Sequence, residues 1–218
     1  MNNMVDLFNK ARIVDLSERL VPGEYDRRLE IRPFKIYAGE IMHDVDMMSH
    51  IGTHVEGPSH YITPCFNKDS KDISDLPIQK FLGEGIFADL SGLGPKEAIS
   101  SKFLKEIGVK KDDIVIMGNS KYMEEDRNYL AAEAAKWMAE IEIKMLGMDQ
   151  TFRIEEISRP LDQMFTHRYL LEKDIPIIER MTNLSDLRQR RFFFIGIPVA
   201  IVGLDSFPIR AIALENVI

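Results

Sequence analysis

His50-Ile51-Gly52-Thr53-His54-Val55-Glu56-Gly57-Pro58-Ser59-His60 gathers three of the chain's five histidines and one carboxylate into eleven consecutive residues. Imidazole and carboxylate are ligands that divalent zinc, manganese or iron bind readily. A lone histidine is more often a surface or core group; three at this spacing, with a carboxylate between them, point to a metal. Positions 50, 54, 56 and 60 share one parity and would face one side of an extended chain. Full extension, however, would separate the outer histidines by roughly 33 Å. Gly52 and Gly57-Pro58 are the places where the backbone can bend. The stretch therefore reads as a coiled loop. A helical H-x-x-x-H pair is the competing geometry, weakened by Gly52, Thr53 and Pro58.

Working outward, Asp44-Val45-Asp46-Met47-Met48 alternates as a strand leading into this loop, and Ile36-Tyr37-Ala38 has a similar pattern. The segment 24–34 is mixed and reads as irregular. Ile13-Val14-Asp15-Leu16-Ser17 looks like a first strand. Apolar runs at 85–90, 113–117, 143–148 and 175–178 read as buried strands. They alternate with helical patterns at 100–107, capped by Ser100 or Ser101 and stopped by Gly108, at 128–140 and at 161–173. The tail differs: 192–195, 199–202 and 209–214 are strand runs separated by turn residues, which predicts hairpins. The expected fold is a mixed sheet with a few helices, of the α/β or α+β kind, in a single unit spanning 1–218.

The chain has 218 residues, 45% hydrophobic and 29% charged, and a net charge of −7. That acidic balance argues against a nucleic-acid partner, and Arg188-Gln189-Arg190-Arg191 reads as a solvated face. No apolar run is long enough to span a membrane, and the N-terminus carries no secretory pattern. With one cysteine, Cys65, there is no internal disulfide, which fits a cytoplasmic location. Cys65 beside Pro64 and Phe66 is read as packing rather than as a nucleophile, and His43 as a surface residue.

The loop alone would supply His50, His54 and Glu56, leaving a fourth position for water, as catalytic zinc sites do. His167 is the histidine remaining, and Glu179 ends the apolar run Ile175-Pro176-Ile177-Ile178. A charge at the end of a buried run needs a partner. A second metal ion would be one.

These residues resemble the cyclase family that includes bacterial kynurenine formamidase and isatin hydrolase, whose signature is H-x-G-T-H-x-D-x-P-x-H. The chain carries H-I-G-T-H-V-E-G-P-S-H. Val14-Asp15-Leu16-Ser17 resembles the family's opening strand, Gly147-Met148-Asp149 its G-x-D turn, and His167-Arg168-Tyr169-Leu170-Leu171 through Glu179 and Asn183-Leu184 its H-x-x-L-L…E-x-x-x-N-L segment. Ile197-Pro198 and Pro208-Ile209-Arg210-Ala211 resemble its closing strands.

The resemblance implies a swivelling β/β/α fold, a homodimer or higher homo-oligomer, and one or two zinc or manganese ions that activate water to open an amide or lactam bond of a small molecule. Carried over by position, His50, His54 and Glu56 would hold a first metal. Glu56 would bridge to a second, held by His167 and Glu179. His60 matches the position of proton transfer; a third loop ligand or an outer orienter is its other reading.

Two departures bear on specificity. Glu56 stands where the family has aspartate, which puts the metal separation and the number of ions in question. Met117-Gly118-Asn119-Ser120-Lys121-Tyr122 replaces a Thr-Gly-Trp-like segment, which weakens the case for an aryl substrate such as N-formylkynurenine, with Tyr122 or Phe66 as substitutes. Asp149 reads equally as an orienter of a ligand histidine or as a cap. The leading function is a metal-dependent hydrolase of a non-peptide C–N bond, arylformamidase above all. A metal-dependent cyclase or dehydratase of a small carbonyl compound, and a non-catalytic metal or ligand binder, are the alternatives.

Overall fold

The computed structural model describes residues 4–61, 70–156 and 164–218; Cys65, Phe66 and the start of the helix expected at 161–173 lie outside them. The short helix α1 (Met4–Lys10) precedes strand β1 (Arg12–Asp15). The other strands are β2 (Leu29–Lys35), β3 (Ile41–Met47), β4 (His54–Glu56), β5 (Leu82–Asp89), β6 (Ala98–Ile99), β7 (Ile114–Gly118), β8 (Tyr129–Leu130), β9 (Met145–Met148), β10 (Ile177–Glu179), β11 (Arg191–Ile195), β12 (Ser206–Pro208) and β13 (Ile212–Glu215). Helices α2 (Ser101–Ile107), α3 (Ala132–Glu140) and α4 (Phe165–Leu171) complete the α/β arrangement.

Nine strands form one mixed sheet in the order β1-β13-β11-β5-β7-β9-β10-β4-β12. The central run β5-β7-β9-β10 is parallel, and both flanks are antiparallel. Parallel strands covered on both faces read as unbroken apolar runs, because successive side chains alternate between two buried layers. In β7, Val115 and Met117 pack with the helices, while Ile114 and Ile116 face Phe192 and Phe194 on the other side. The helices end where their sequence signals say. Ser100 Oγ accepts from Phe103 N–H, and Gly108, at φ +90°, closes α2. The cap of α3 comes from a distance, since Ala132 N–H donates to Glu156 Oε2 at 2.9 Å.

Several local expectations change. Most of β2 falls within the 24–34 stretch, whereas Tyr37–Gly39 is a tight turn with Ala38 and Gly39 at positive φ, reversing the chain from β2 into β3. Residues 199–202 form no strand, and Val199 and Val202 are exposed. Between Pro198 and Gly203 that run finds no strand to pair with among the described residues. Nor is the tail a meander, because β11 and β13 pair side by side while β12 lies at the far edge against β4. Of the basic cluster, Arg188 and Arg190 are exposed as expected, but Arg191 donates to Asp113 and Glu84.

Glu215, buried at the end of β13, accepts from the Arg12 guanidinium and from the Arg188 and Gln189 amides at 2.7 and 2.6 Å. Burial opposes its charge, yet the Gln189 amide, Arg12 and the Arg188 amide together hold its pKa below the ordinary glutamate value. A depressed folded-state pKa stabilises above the unfolded value, and that contribution is lost as pH falls through the folded one. Glu215→Gln is therefore expected to cost about 2 kcal/mol near neutrality. The deficit should vanish in acid, as read by urea unfolding across the two conditions.

Candidate metal centre

Strand β4 organises the site. His54 and Glu56 are two residues apart and so face one side of it. On one flank β10 sets Glu179 opposite His54, and on the other β12 sets Ser206 opposite Glu56. Before β4, Gly52 takes φ +58° with Leu20 packed where a Cβ would stand, and this turns His50 back over the strand. After it, Gly57 and a 3-10 turn at Pro58–His60 fold His60 toward the same face. The loop reading thus holds at both ends, with a short strand between. Buried His167 arrives from α4.

Glu56 lies at the centre. Its Oε1 is 2.9 Å from His50 Nδ1, 3.3 Å from His54 Nε2 and 3.6 Å from His60 Nε2, and its Oε2 is 3.5 Å from His167 Nε2. Glu179 reaches both sides, with Oε2 3.9 Å from His54 Nε2 and Oε1 3.8 Å from His167 Nε2. All six residues singled out in the sequence therefore meet. Ligand atoms of His50, His54 and Glu56 lie within 4.8 Å of one another, as do those of Glu56, His60 and His167 and those of His50, His60 and Asp205.

The proton positions show what this geometry accommodates. His54 Nδ1 donates to the Gly52 carbonyl at 2.7 Å, and His167 Nδ1 donates to Glu155 Oε1 at 2.8 Å. In the neutral imidazole each Nε2 is then a lone pair facing carboxylate oxygens, and two acceptors repel unless a cation lies between them. Among the described residues, Glu56 Oε2 is buried without a hydrogen-bond partner, as is Ser206 Oγ on the adjoining strand. Two atoms bound tetrahedrally to one ion at about 2.1 Å stand roughly 3.4 Å apart. The separations of 3.3, 3.6 and 3.5 Å from Glu56 to His54, His60 and His167 suit ligation of a shared ion, while the 2.9 Å to His50 is hydrogen-bond length.

The electrostatics agree. Burial opposes charge on Glu56, yet the imidazoles of His167, His50 and His54 around it hold its carboxyl well below the ordinary range. Burial likewise opposes charge on His167, but Glu155, Glu179 and Glu56 raise it well above its usual value. His50 is raised against its burial by Glu56 and Asp205. Carboxylates thus set a field that draws positive charge, by protons or by a metal ion. The donor set of imidazole nitrogens and carboxylate oxygens fits a divalent ion such as zinc or manganese.

An open cavity of about 550 Å³ lies over these groups, with Met48, Ile154 and Met164 as apolar wall and Arg27 at its side. Arg27 donates to the His50 carbonyl.

The Cyclase family pattern matches residues 8–153. This chain belongs to the Cyclase family. It is 25% identical over 199 residues to the kynurenine formamidase of Bacillus cytotoxicus and 26% identical over 199 residues to that of Bacillus cereus, each match covering 88% of both chains. Isatin hydrolase A from Labrenzia aggregata superposes with a TM-score of 0.76 at 18% identity, over 95% of both chains. The isatin hydrolase A of Ralstonia solanacearum gives 0.74 at 18% identity, over 94% of this chain and 92% of its own. The swivelling β/β/α arrangement of the Cyclase fold is thus present here.

Within this Cyclase chain, two site groups carried no signal in the sequence. Glu155 orients His167, and Asp205 Oδ2 stands 2.8 Å from both His50 Nε2 and His60 Nδ1. Asp205 sat in a run read only as a turn. Asp149 resolves as a cap: its carboxylate accepts from Asn119 N–H at 2.7 Å and from the Thr151 amide and hydroxyl at 2.8 and 2.7 Å. Tyr122 N–H donates to Ser120 Oγ, and Tyr122 is not among the described residues lining the cavity. His43 is exposed on β3.

Proposed function

We propose that this chain is a metal-dependent hydrolase that cleaves a non-peptide C–N bond of a small molecule, with an arylformamide as the leading substrate. The observation that carries the reading is the convergence of His50, His54 and His167 on Glu56, with Glu179 reaching both His54 and His167, while Glu56 Oε2 has no hydrogen-bond partner among the described residues. The names of the kynurenine formamidase and isatin hydrolase relatives support the bond class. His50, His54 and Glu56 would hold one ion, and Glu56, His167 and Glu179 a second. Bound there, a divalent ion supplies Lewis acidity to water and to the substrate carbonyl.

The chain's own groups do the rest. His60 presents Nε2 toward Glu56 Oε1 and takes the proton of the attacking water. As the water oxygen bonds to the carbonyl carbon and the C–N bond breaks, His60 returns that proton to the leaving nitrogen. Met48, Met164 and Ile154 offer thioether and aliphatic contact for an aryl ring in place of the missing tryptophan.

The subunit is read as one domain of a cytoplasmic homo-oligomer. Assembly is supported by the β2–β3 ribbon, whose paired positions put Ile31, Val45 and Ile41 on one face while Glu30, Asp46, Arg32 and Asp44 share the other. Ile31, Val45 and Ile41 are 47%, 55% and 62% exposed. A two-stranded ribbon with an uncovered apolar face is marginal in water and gains most by covering it with a second copy. Ile31→Asp with Val45→Asp is expected to shift the mass seen by light scattering to that of a monomer. An unchanged oligomer would remove the ribbon from the interface.

The deciding experiment is metal analysis of the purified protein, followed by formate release from N-formylkynurenine after zinc or manganese reconstitution. At least one bound ion per chain and metal-dependent turnover are expected. Reconstituted protein inert toward formamides, lactams and esters alike would defeat the enzyme reading. Turnover of a lactam or ester alone would replace the substrate.

A further inference from the structure

The site contains a carboxylate that the proposed ligand set and proton carrier leave unused. Asp205 Oδ2 lies 2.8 Å from His50 Nε2 and 2.8 Å from His60 Nδ1, and the two rings are 4.4 Å apart between centroids. Its backbone is fixed from both sides: its carbonyl accepts from Gly57 N–H at 2.8 Å, and β12 begins at the next residue, in register with Glu56. The side chain is therefore aimed by the sheet and by the loop together.

We propose that Asp205 is a positioning residue that couples His50 to His60 by accepting a hydrogen bond from each on one oxygen. This rests on the assignment of His50 to a metal and His60 to proton transfer. A neutral imidazole has one N–H and one lone pair. With its N–H spent on Asp205, His60 must present the Nε2 lone pair toward the cavity, the tautomer a base requires. With Nε2–H of His50 spent on the same oxygen, its Nδ1 lone pair points at Glu56 Oε1, 2.9 Å away, where a cation resolves the contact between acceptors. Ligand histidines commonly give their second N–H to a carboxylate in this way. Here one carboxylate serves the ligand and the proton carrier at once, so the orientation of the base is tied to that of the metal site. A rival reading makes Asp205 a third ligand atom alongside His50 and His60, which the spacing also permits.

The test uses the full chain carrying Asp205→Ala, Asp205→Asn or neither. In the metal-free protein, nitrogen-15 spectra of the imidazoles, with His60 assigned by its loss in His60→Ala, report the tautomer directly. The wild type is expected to show His60 as Nδ1–H, Asp205→Ala to move it toward Nε2–H, and Asp205→Asn, which keeps an acceptor oxygen, to fall between. In zinc-loaded protein, Asp205→Ala should lower kcat about 100-fold with KM little changed, and should cost nothing further in a His60→Ala background. Zinc affinity, by competition with a chromophoric chelator, should weaken roughly 10- to 100-fold with the stoichiometry intact. An unchanged His60 tautomer in both variants would overturn the proposal, and the loss of one bound ion would make Asp205 a ligand instead. The spectra need neither metal nor turnover, so a wrong substrate leaves this result standing.

Discussion

Glu56→Gln is expected to abolish stoichiometric binding of zinc or manganese and to lower turnover by about a thousandfold or more. Among the described residues, Glu56 is the one group that faces every imidazole of the site, through Oε1 to His50, His54 and His60 and through Oε2 to His167. Glutamine keeps the shape but removes the charge, and its amide donates to the lone pairs that otherwise require a cation. Several kcal/mol of transition-state stabilisation depend on a bound ion, and about 4 kcal/mol corresponds to a thousandfold in rate. Metal content measured by mass spectrometry and the thermal shift on adding metal are the readouts. Wild type should gain about 4 kcal/mol at a metal concentration near a thousand times Kd, and the variant nothing. Full metal occupancy in Glu56→Gln would remove Glu56 from the ligand set. Glu56→Asp, the residue usual in the family, withdraws the carboxylate by roughly 1.5 Å, one bond length. It is expected to bind metal more weakly, because the reach of Glu56 is matched to this β4.

His60→Ala is expected to act differently, retaining the metal and losing about 10²- to 10⁴-fold in kcat. The ring sits at the rim of the cluster, partly exposed, with Nδ1 on Asp205 and Nε2 3.6 Å from Glu56 Oε1. That is a base's position: one nitrogen anchored, the other free to exchange a proton over the cavity. Metal analysis beside single-turnover kinetics separates the alternatives. An ion lost together with the imidazole would make His60 a ligand. Unimpaired turnover by a fully metallated variant would move proton transfer elsewhere.

How much of this was legible in the chain follows from the range of the forces involved. Apolar runs at 85–90, 113–117, 143–148 and 175–178 fall on β5, β7, β9 and β10, because strands buried on both faces must be apolar at every position. Ser100 and Gly108 mark α2 through contacts within a single turn of chain. The ribbon was harder. In β2, Arg32-Pro33 interrupts the alternation, and only its pairing with β3 makes it a strand. The run at 199–202 misled in the opposite sense, since apolar residues there stay exposed.

The candidate site divides in the same way. His50, His54, Glu56 and His60 declared themselves by density within one segment, and His167 and Glu179 by a resemblance that spans most of the chain. Nothing local marks Glu155 or Asp205. Glu155 matters because α4 lays His167 beside it. Asp205 matters because β12 crosses to the far edge of the sheet and pairs with β4. Which side chains are candidate ligands is a matter of side-chain chemistry, which the sequence by itself determined. Which carboxylate accepts the outer N–H of His50 and His60 depends on strand order across the sheet, where Asp205 reaches them from over a hundred residues away through backbone pairing that any residue type can make, and only the tertiary structure decided it.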